Sequence, residues 1–136
     1  MYQAYSNTTT TYAQNTPLSF PTVKYSDCRV SATSGTTFRI AAPGRYLVSF
    51  NGVGGSTAAT TPFTVQLYKD GVAQPETVST VTSVAANDVG TLAFTTIVNI
   101  LPSCNCINNA VNLQVVATNA TSGTVSEANL VIYRIR

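Results

Sequence analysis

The chain has 136 residues, one domain's worth, enough to bury roughly two thirds of its unfolded surface without help from a disulfide or a metal. Only 9% of residues are charged, against about 25% in an average soluble domain, while the 44% apolar fraction is ordinary and excludes disorder. The net charge of +2 is spread thinly, with no basic, aromatic-interleaved stripe to track phosphates, so nucleic acid is not an expected partner.

No eighteen-residue apolar stretch and no charged start followed by an apolar segment appear, so neither a membrane span nor a secretory signal is read. The start at Met1 reads as native and favours synthesis and assembly inside a cell. Residues 1–16 are polar and are expected to form a flexible leader or an edge strand that pairs only when another subunit is present. Tyr2, Tyr5 and Tyr12 argue against pure disorder, because aromatic rings are usually given something to cover.

From Pro17 onward short strands recur: residues 18–23, 28–32, 37–41, 46–53, 63–69, 72–84, 91–101, 111–117 and 128–135. Eight or nine strands in the remaining 120 or so residues is jelly-roll density. The turns between them have chemical reasons. Asp70-Gly71 tolerates positive φ at both central positions of a type I′ hairpin, so its flanking strands should pair directly. Pro43-Gly44 suits a type II corner, and Ala86 to Asp88 and Asn119 to Gly123 read as further turns. The domain reading is therefore a polar arm, 1–16, and an all-β, antiparallel two-sheet sandwich, 17–136.

Periodicity separates two kinds of strand. In residues 63–69, Phe63, Val65 and Leu67 alternate with Thr64, Gln66 and Tyr68, as in a strand wet on one face. The last strand instead carries Leu130 and Ile132 on one face and Val131, Tyr133 and Ile135 on the other. Residues 91–101 behave similarly, with Ile97 and Leu101 opposite Leu92, Phe94, Val98 and Ile100. A two-sheet sandwich buries only one face of each sheet, so the second apolar face needs a cover. Another subunit is the economical one, and a loop or the N-terminal segment is the alternative. The candidate inter-subunit residues are Tyr133, Val131, Ile135, Ile97 and Leu101.

Chemistry-bearing residues are scarce. Cys28, Cys104 and Cys106 make an odd count and, with no export signal, read as reduced thiols. Cys104 and Cys106 sit in a loop, too few ligands for tetrahedral zinc in a chain without histidine. The sharper alternative there is an inter-subunit disulfide. A nucleophile-base system lacks its usual proton acceptor, histidine. Asp70 and Asp88 belong to turns, and Glu76 and Glu127 flank strands; Asp27 and Glu127 could form a glycosidase-type pair only if their strands are neighbours. Neither an enzyme, a cofactor nor a metal site is expected. Glycan recognition is the more serious rival. Asn51, Thr57 and Tyr68 are its candidate residues, Tyr68 standing in for the absent tryptophan, although ordinary cross-strand packing is the commoner reason for such a tyrosine.

The run Phe38-Arg-Ile, the strand Ala42-Pro-Gly-Arg-Tyr-Leu-Val-Ser-Phe, the hairpin Val65-Gln-Leu-Tyr-Lys-Asp-Gly-Val and the apolar end Leu130 to Ile135 carry a resemblance. They resemble the trimeric jelly roll shared by complement-type globular heads, tumour necrosis factor-like cytokines and the heads of bacterial collagen-like spore-surface proteins. The Tyr2-Gln-Ala-Tyr-Ser start and the Gln66 to Pro75 hairpin are also similar to small phage and prophage proteins of Gram-positive gut bacteria. The resemblance implies a tumour necrosis factor-like jelly roll and a homotrimer. It further implies a structural head of a phage virion or phage-derived particle, made in the bacterial cytoplasm beside other particle proteins. The alternative it implies is a carbohydrate- or receptor-binding head on a fibre or a cell or spore surface, with a host glycan as partner. The collagen-like stalk and the acidic calcium cluster of some relatives are missing here.

Overall fold

The structure, a computed structural model, describes residues 1–86, 88–101, 110–118 and 122–135. Its strands are β1 (Tyr2–Ser6), β2 (Thr10–Tyr12), β3 (Thr16–Pro17), β4 (Thr22–Tyr25), β5 (Val30–Thr33), β6 (Thr37–Ile40), β7 (Gly44–Ser56), β8 (Pro62–Lys69), β9 (Val72–Ala73), β10 (Ser79–Thr82), β11 (Gly90–Ile100), β12 (Val111–Ala117) and β13 (Gly123–Arg134). The single helical element among the described residues is a 3-10 turn, Pro75–Thr77.

Two antiparallel sheets result. One has six strands in the order β11-β7-β13-β1-β4, with β2 also on β13. The other has seven, in the order β10-β8-β12-β6-β5, with β3 on β12 and β9 on β8. The period-two alternation turns every second residue of each central strand inward. Tyr46, Val48 and Phe50 of β7 and Leu130 and Ile132 of β13 thereby meet Phe63, Val65 and Leu67 of β8 and Phe38 and Ile40 of β6, all nearly or fully buried. A chain of rings runs through this core, with centroids 5.7 Å apart for Tyr2–Phe38, 5.7 Å for Phe20–Phe38, 6.1 Å for Phe20–Phe50 and 5.3 Å for Phe50–Phe94. Three of the four are edge-to-face, the arrangement that brings a positive ring edge to a negative ring face. Each such pair contributes about 0.5–1.5 kcal/mol beyond area burial.

The Asp70-Gly71 turn forms as the sequence predicts. Asp70 takes φ 51° and Gly71 φ 81°, and Lys69 pairs with Val72 across it. Asp70 is held in this strained region from both sides: its N–H donates to the Asn112 carbonyl at 2.8 Å, and its Oδ1 accepts from the Asn112 N–H at 2.9 Å.

Two expectations are corrected. Within residues 1–16, β1 is not an edge: it lies inside its sheet, paired with β13 on one side and β4 on the other, while β2 pairs with β13 alone. Tyr2 and Ala4 alternate inward and are buried, and Tyr12 of β2 is buried too, so two of the arm's three tyrosines cover core, while Tyr5 faces outward and is half-buried. The expected single strand 72–84 is broken into β9, the 3-10 turn and β10. Pro75 supplies no N–H for a ladder, and the chain is pinned as it leaves the sheet by the buried Thr77 hydroxyl. That hydroxyl donates to the Gln74 carbonyl at 2.7 Å and accepts from the Leu67 N–H at 2.9 Å.

Candidate functional site on the outer face of the six-stranded sheet

The strand register lays the outward side chains of β11, β7, β13 and β1 out in rows. Ile97 lies opposite Leu47, and Leu47 opposite Tyr133, which makes an apolar row across three strands. Ile97 is 57% exposed and Tyr133 50%, with Ile135 and Leu101 as open just beyond their strand ends. The neighbouring row runs Thr95, Ser49, Val131, Gln3 and Tyr25. The structure thus gathers Tyr133, Val131 and Ile97 on one face, with Ile135 and Leu101 at its end.

One row further along, the chemistry changes from apolar to amide. Asn51 of β7 is paired with Asn129 of β13, and Asn129 with Tyr5 of β1. Gln3 Nε2 donates to Asn129 Oδ1 at 2.8 Å, tying two amides diagonally across the β1–β13 ladder. β13 bulges here: Val125 faces Gly54 and Glu127 faces Val53, so Ser126 is the extra residue, and its hydroxyl donates to the Val53 carbonyl at 3.3 Å. The bulge returns Glu127 to the outer face. Together with Thr91 and Lys24 these side chains surround a depression of about 590 Å³, floored in part by Gly52 and Ala128.

Of the residues expected to bind a ligand, only Asn51 lies here. Thr57 follows β7 and is committed to the Ser122 carbonyl at 3.1 Å and the Ser122 hydroxyl at 3.0 Å. Tyr68 stands on the outer face of the other sheet, paired with Gln114 and Ala73. Gln3, Tyr5, Thr91 and Asn129 are site residues that sequence reasoning misses. For Asn129 a signal exists, since it continues the outward phase of Val131 and Tyr133 by one step. For β1 there is none, because its register on β13 joins residues 126 positions apart.

Asp27 and Glu127 are not brought together. The Asp27 carboxylate sits at the Met1 end of β1, with Oδ2 accepting from the Met1 ammonium at 3.0 Å. Glu127 is beside Ser6, whose strand partner is Ala128. Five residues of extended strand separate the two ends, about 17 Å at ~3.3 Å per residue, well beyond the roughly 5–10 Å of a glycosidase pair. Asp27 is instead structural, held also by Arg29. Among the described residues no three His, Cys, Asp or Glu side chains gather to hold a metal ion, and no helix is long and apolar enough to cross a membrane. Cys28 is exposed as a free thiol; Cys104 and Cys106 lie outside the described residues.

No family model and no curated protein matches the chain. Solved structures do. The globular domain of the zebrafish complement 1qA protein superposes with a TM-score of 0.65 at 12% identity, covering 98% of this chain and 97% of that one. The Eiger tumour necrosis factor of S. frugiperda gives 0.66 at 9% identity, over 99% and 93%. The PRD1 vertex protein P5 gives 0.60 at 14% identity, over 99% and 96%. The chain therefore has the tumour necrosis factor-like jelly-roll fold over its whole length, as its resemblance implies.

Proposed function

We propose that this protein is a non-enzymatic head module that assembles with itself, three copies packing through the outer face of the six-stranded sheet, as a structural part of a phage virion or phage-derived particle. The observation that carries this reading is the row Ile97–Leu47–Tyr133, continued by Ile135 and Leu101. Five apolar side chains on one sheet face, with Arg45 one row along as a neighbouring charge, form a contiguous patch of the kind soluble monomers avoid. Covering it contributes about 25 cal/mol for each Å² removed from water. The particle role is supported by the likeness to a protein named for its place at a vertex and by the phage-like Tyr2 to Ser6 start. The polar depression on the same face favours a second reading, a head that also binds a ligand.

Absolute mass by light scattering after size exclusion tests the first reading. Three times the chain mass is expected, with and without reductant. Tyr133→Asp places a carboxylate in the apolar row and should return the mass to one chain while the far-ultraviolet spectrum stays that of a folded sandwich, because Tyr133 points away from the core. A trimer of unchanged mass from that variant, or a monomeric parent, would overturn the assignment.

A further inference from the structure

We propose that the depression beside Asn51 and Asn129 is a saccharide site that takes an uncharged, amide-bearing sugar, an N-acetylhexosamine unit of a glycan; this rests on the ligand-binding reading above. Four observations support it. The cavity, about 590 Å³, lies in the size range of small-ligand sites. Its polar lining is amide and hydroxyl, groups that both donate and accept and so match sugar hydroxyls and an acetamide alike. Lys24 and Glu127 contribute one charge of each sign, so the lining has no net charge to recruit an acid or a base. Finally, the lining is unspent. The Asn51 amide, the Tyr5 and Thr91 hydroxyls and the Glu127 carboxylate have no side-chain hydrogen-bond partner among the described residues, while the bond from Gln3 Nε2 to Asn129 Oδ1 at 2.8 Å fixes two amides and leaves Gln3 Oε1 and the Asn129 N–H pair to a ligand.

The placement is chemically sensible. A sugar ring offers hydroxyls around its rim and C–H groups on its faces, and the half-buried Tyr5 ring and Val53 supply apolar surface for the latter beside the amides. Fixing Gln3 and Asn129 beforehand reduces the ordering cost of binding. The site is complete within one chain, since β1 with Asn7 just after it, β4, β7, β11 and β13 supply the lining, and it lies about 13 Å along β7 from the apolar row, four residues at ~3.3 Å each.

The test is a titration of the whole chain with N-acetylglucosamine and its β1,4-linked dimer, followed by backbone amide chemical shifts, with glucose as the sugar lacking the acetamide. It is run on the parent, on Tyr133→Asp, in which no second copy covers the face, and on Asn51→Ala, an exposed position whose truncation leaves the core untouched. Saturable shifts centred on Gln3, Tyr5, Asn51 and Asn129 are expected, about tenfold weaker for glucose and about tenfold weaker in Asn51→Ala, one or two lost hydrogen bonds in each case. Binding by Tyr133→Asp and not by the parent would support the site and show that assembly shields it. Equal binding of glucose would overturn the amide-sugar assignment and leave ligand binding standing. The absence of any shift in Tyr133→Asp would overturn both, and a lower oligomer mass of Asn51→Ala without sugar-induced shifts would give the depression to the contact between copies.

Discussion

Asp27 shows how a chain this poor in charge uses the few it has. Its Oδ1 accepts from the Arg29 N–H at 3.0 Å and from the Arg29 guanidinium at 3.1 Å, and its Oδ2 from the Met1 ammonium at 3.0 Å. The carboxylate is 8% exposed. The backbone N–H of Arg29 first, then the Met1 ammonium, hold its pKa down from 3.8 to about 2, against the opposing effect of burial. The charged form is therefore favoured in the folded state, and the stabilisation is fully present above pH 3.8 and lost as pH falls through about 2. The shift corresponds to about 2 kcal/mol, reduced to about 1–2 kcal/mol because the Met1 and Arg29 partners are 42% and 38% exposed. Asp27→Asn should lower the melting temperature at neutral pH by about 3–8 °C. The gap should narrow as pH falls toward about 2, where the parent carboxyl is half protonated, and close below it. Thermal unfolding of both proteins across that range checks this, and an equal gap at both ends would mean that shape rather than charge holds the loop.

At the scale of elements, much of the sandwich is legible in alternation and turn chemistry. β6, β8, β11 and β12 lie within a residue of their expected spans, because Phe38, Phe63, Leu92 and Leu113 each begin a clean inside-outside alternation. What sequence does not carry is long-range pairing. β1 reads as a polar arm since only Tyr2 and Ala4 of its five residues face the core, and nothing local says that Tyr2 will sit opposite Ile132. The candidate site suffers the same loss: its apolar row is visible in the phase of two strands, whereas its depression depends on bringing β1 to β13. The far end of β7 depends on a close approach that sequence also hides. A Cβ on Gly55 would collide with the Asp88 carbonyl oxygen, and the same carbonyl accepts from the Ser83 hydroxyl at 3.0 Å, which in turn accepts from the Ser56 N–H at 3.2 Å. Gly55→Ala must push this loop off β7 and break that relay, at a cost of about 2–4 kcal/mol. Gly71→Ala is the control: its Cβ meets nothing within 4 Å, and only the positive φ resists it, for about 1 kcal/mol. Denaturant midpoints should rank parent, Gly71→Ala, Gly55→Ala in falling order, and a reversal would show that the loop yields more readily than the turn.

For the whole molecule, the two sheets differ in what they leave outside. The seven-stranded sheet presents Thr64, Thr80, Gln114 and Thr37, and these neutral groups bond to one another across strands, Thr64 to Thr80 at 3.0 Å and Gln114 to Thr37 at 2.9 Å. Such a face is finished in water. The six-stranded sheet presents Ile97, Leu47 and Tyr133 at one end and unspent amides at the other, so any assembly through it is driven by removal of apolar surface, with polar groups setting register. Arg45 and Arg134 lie beside the apolar row, with Arg134 spent on the Pro43 carbonyl at 3.1 Å, and no acid of the described residues stands in that row to pair with them. Self-association should therefore be insensitive to salt. Apolar burial does not weaken as screening increases, whereas contacts between exposed charges fade once the Debye length falls from roughly 14 Å at about 50 mM to about 4 Å at about 500 mM NaCl. Light scattering at those two concentrations should give the same mass, and cooling toward 0 °C should favour dissociation, since apolar association weakens as temperature falls. A complex that dissociates in high salt and persists in the cold would place the contact on the arginines at the strand ends instead of on Tyr133 and its row.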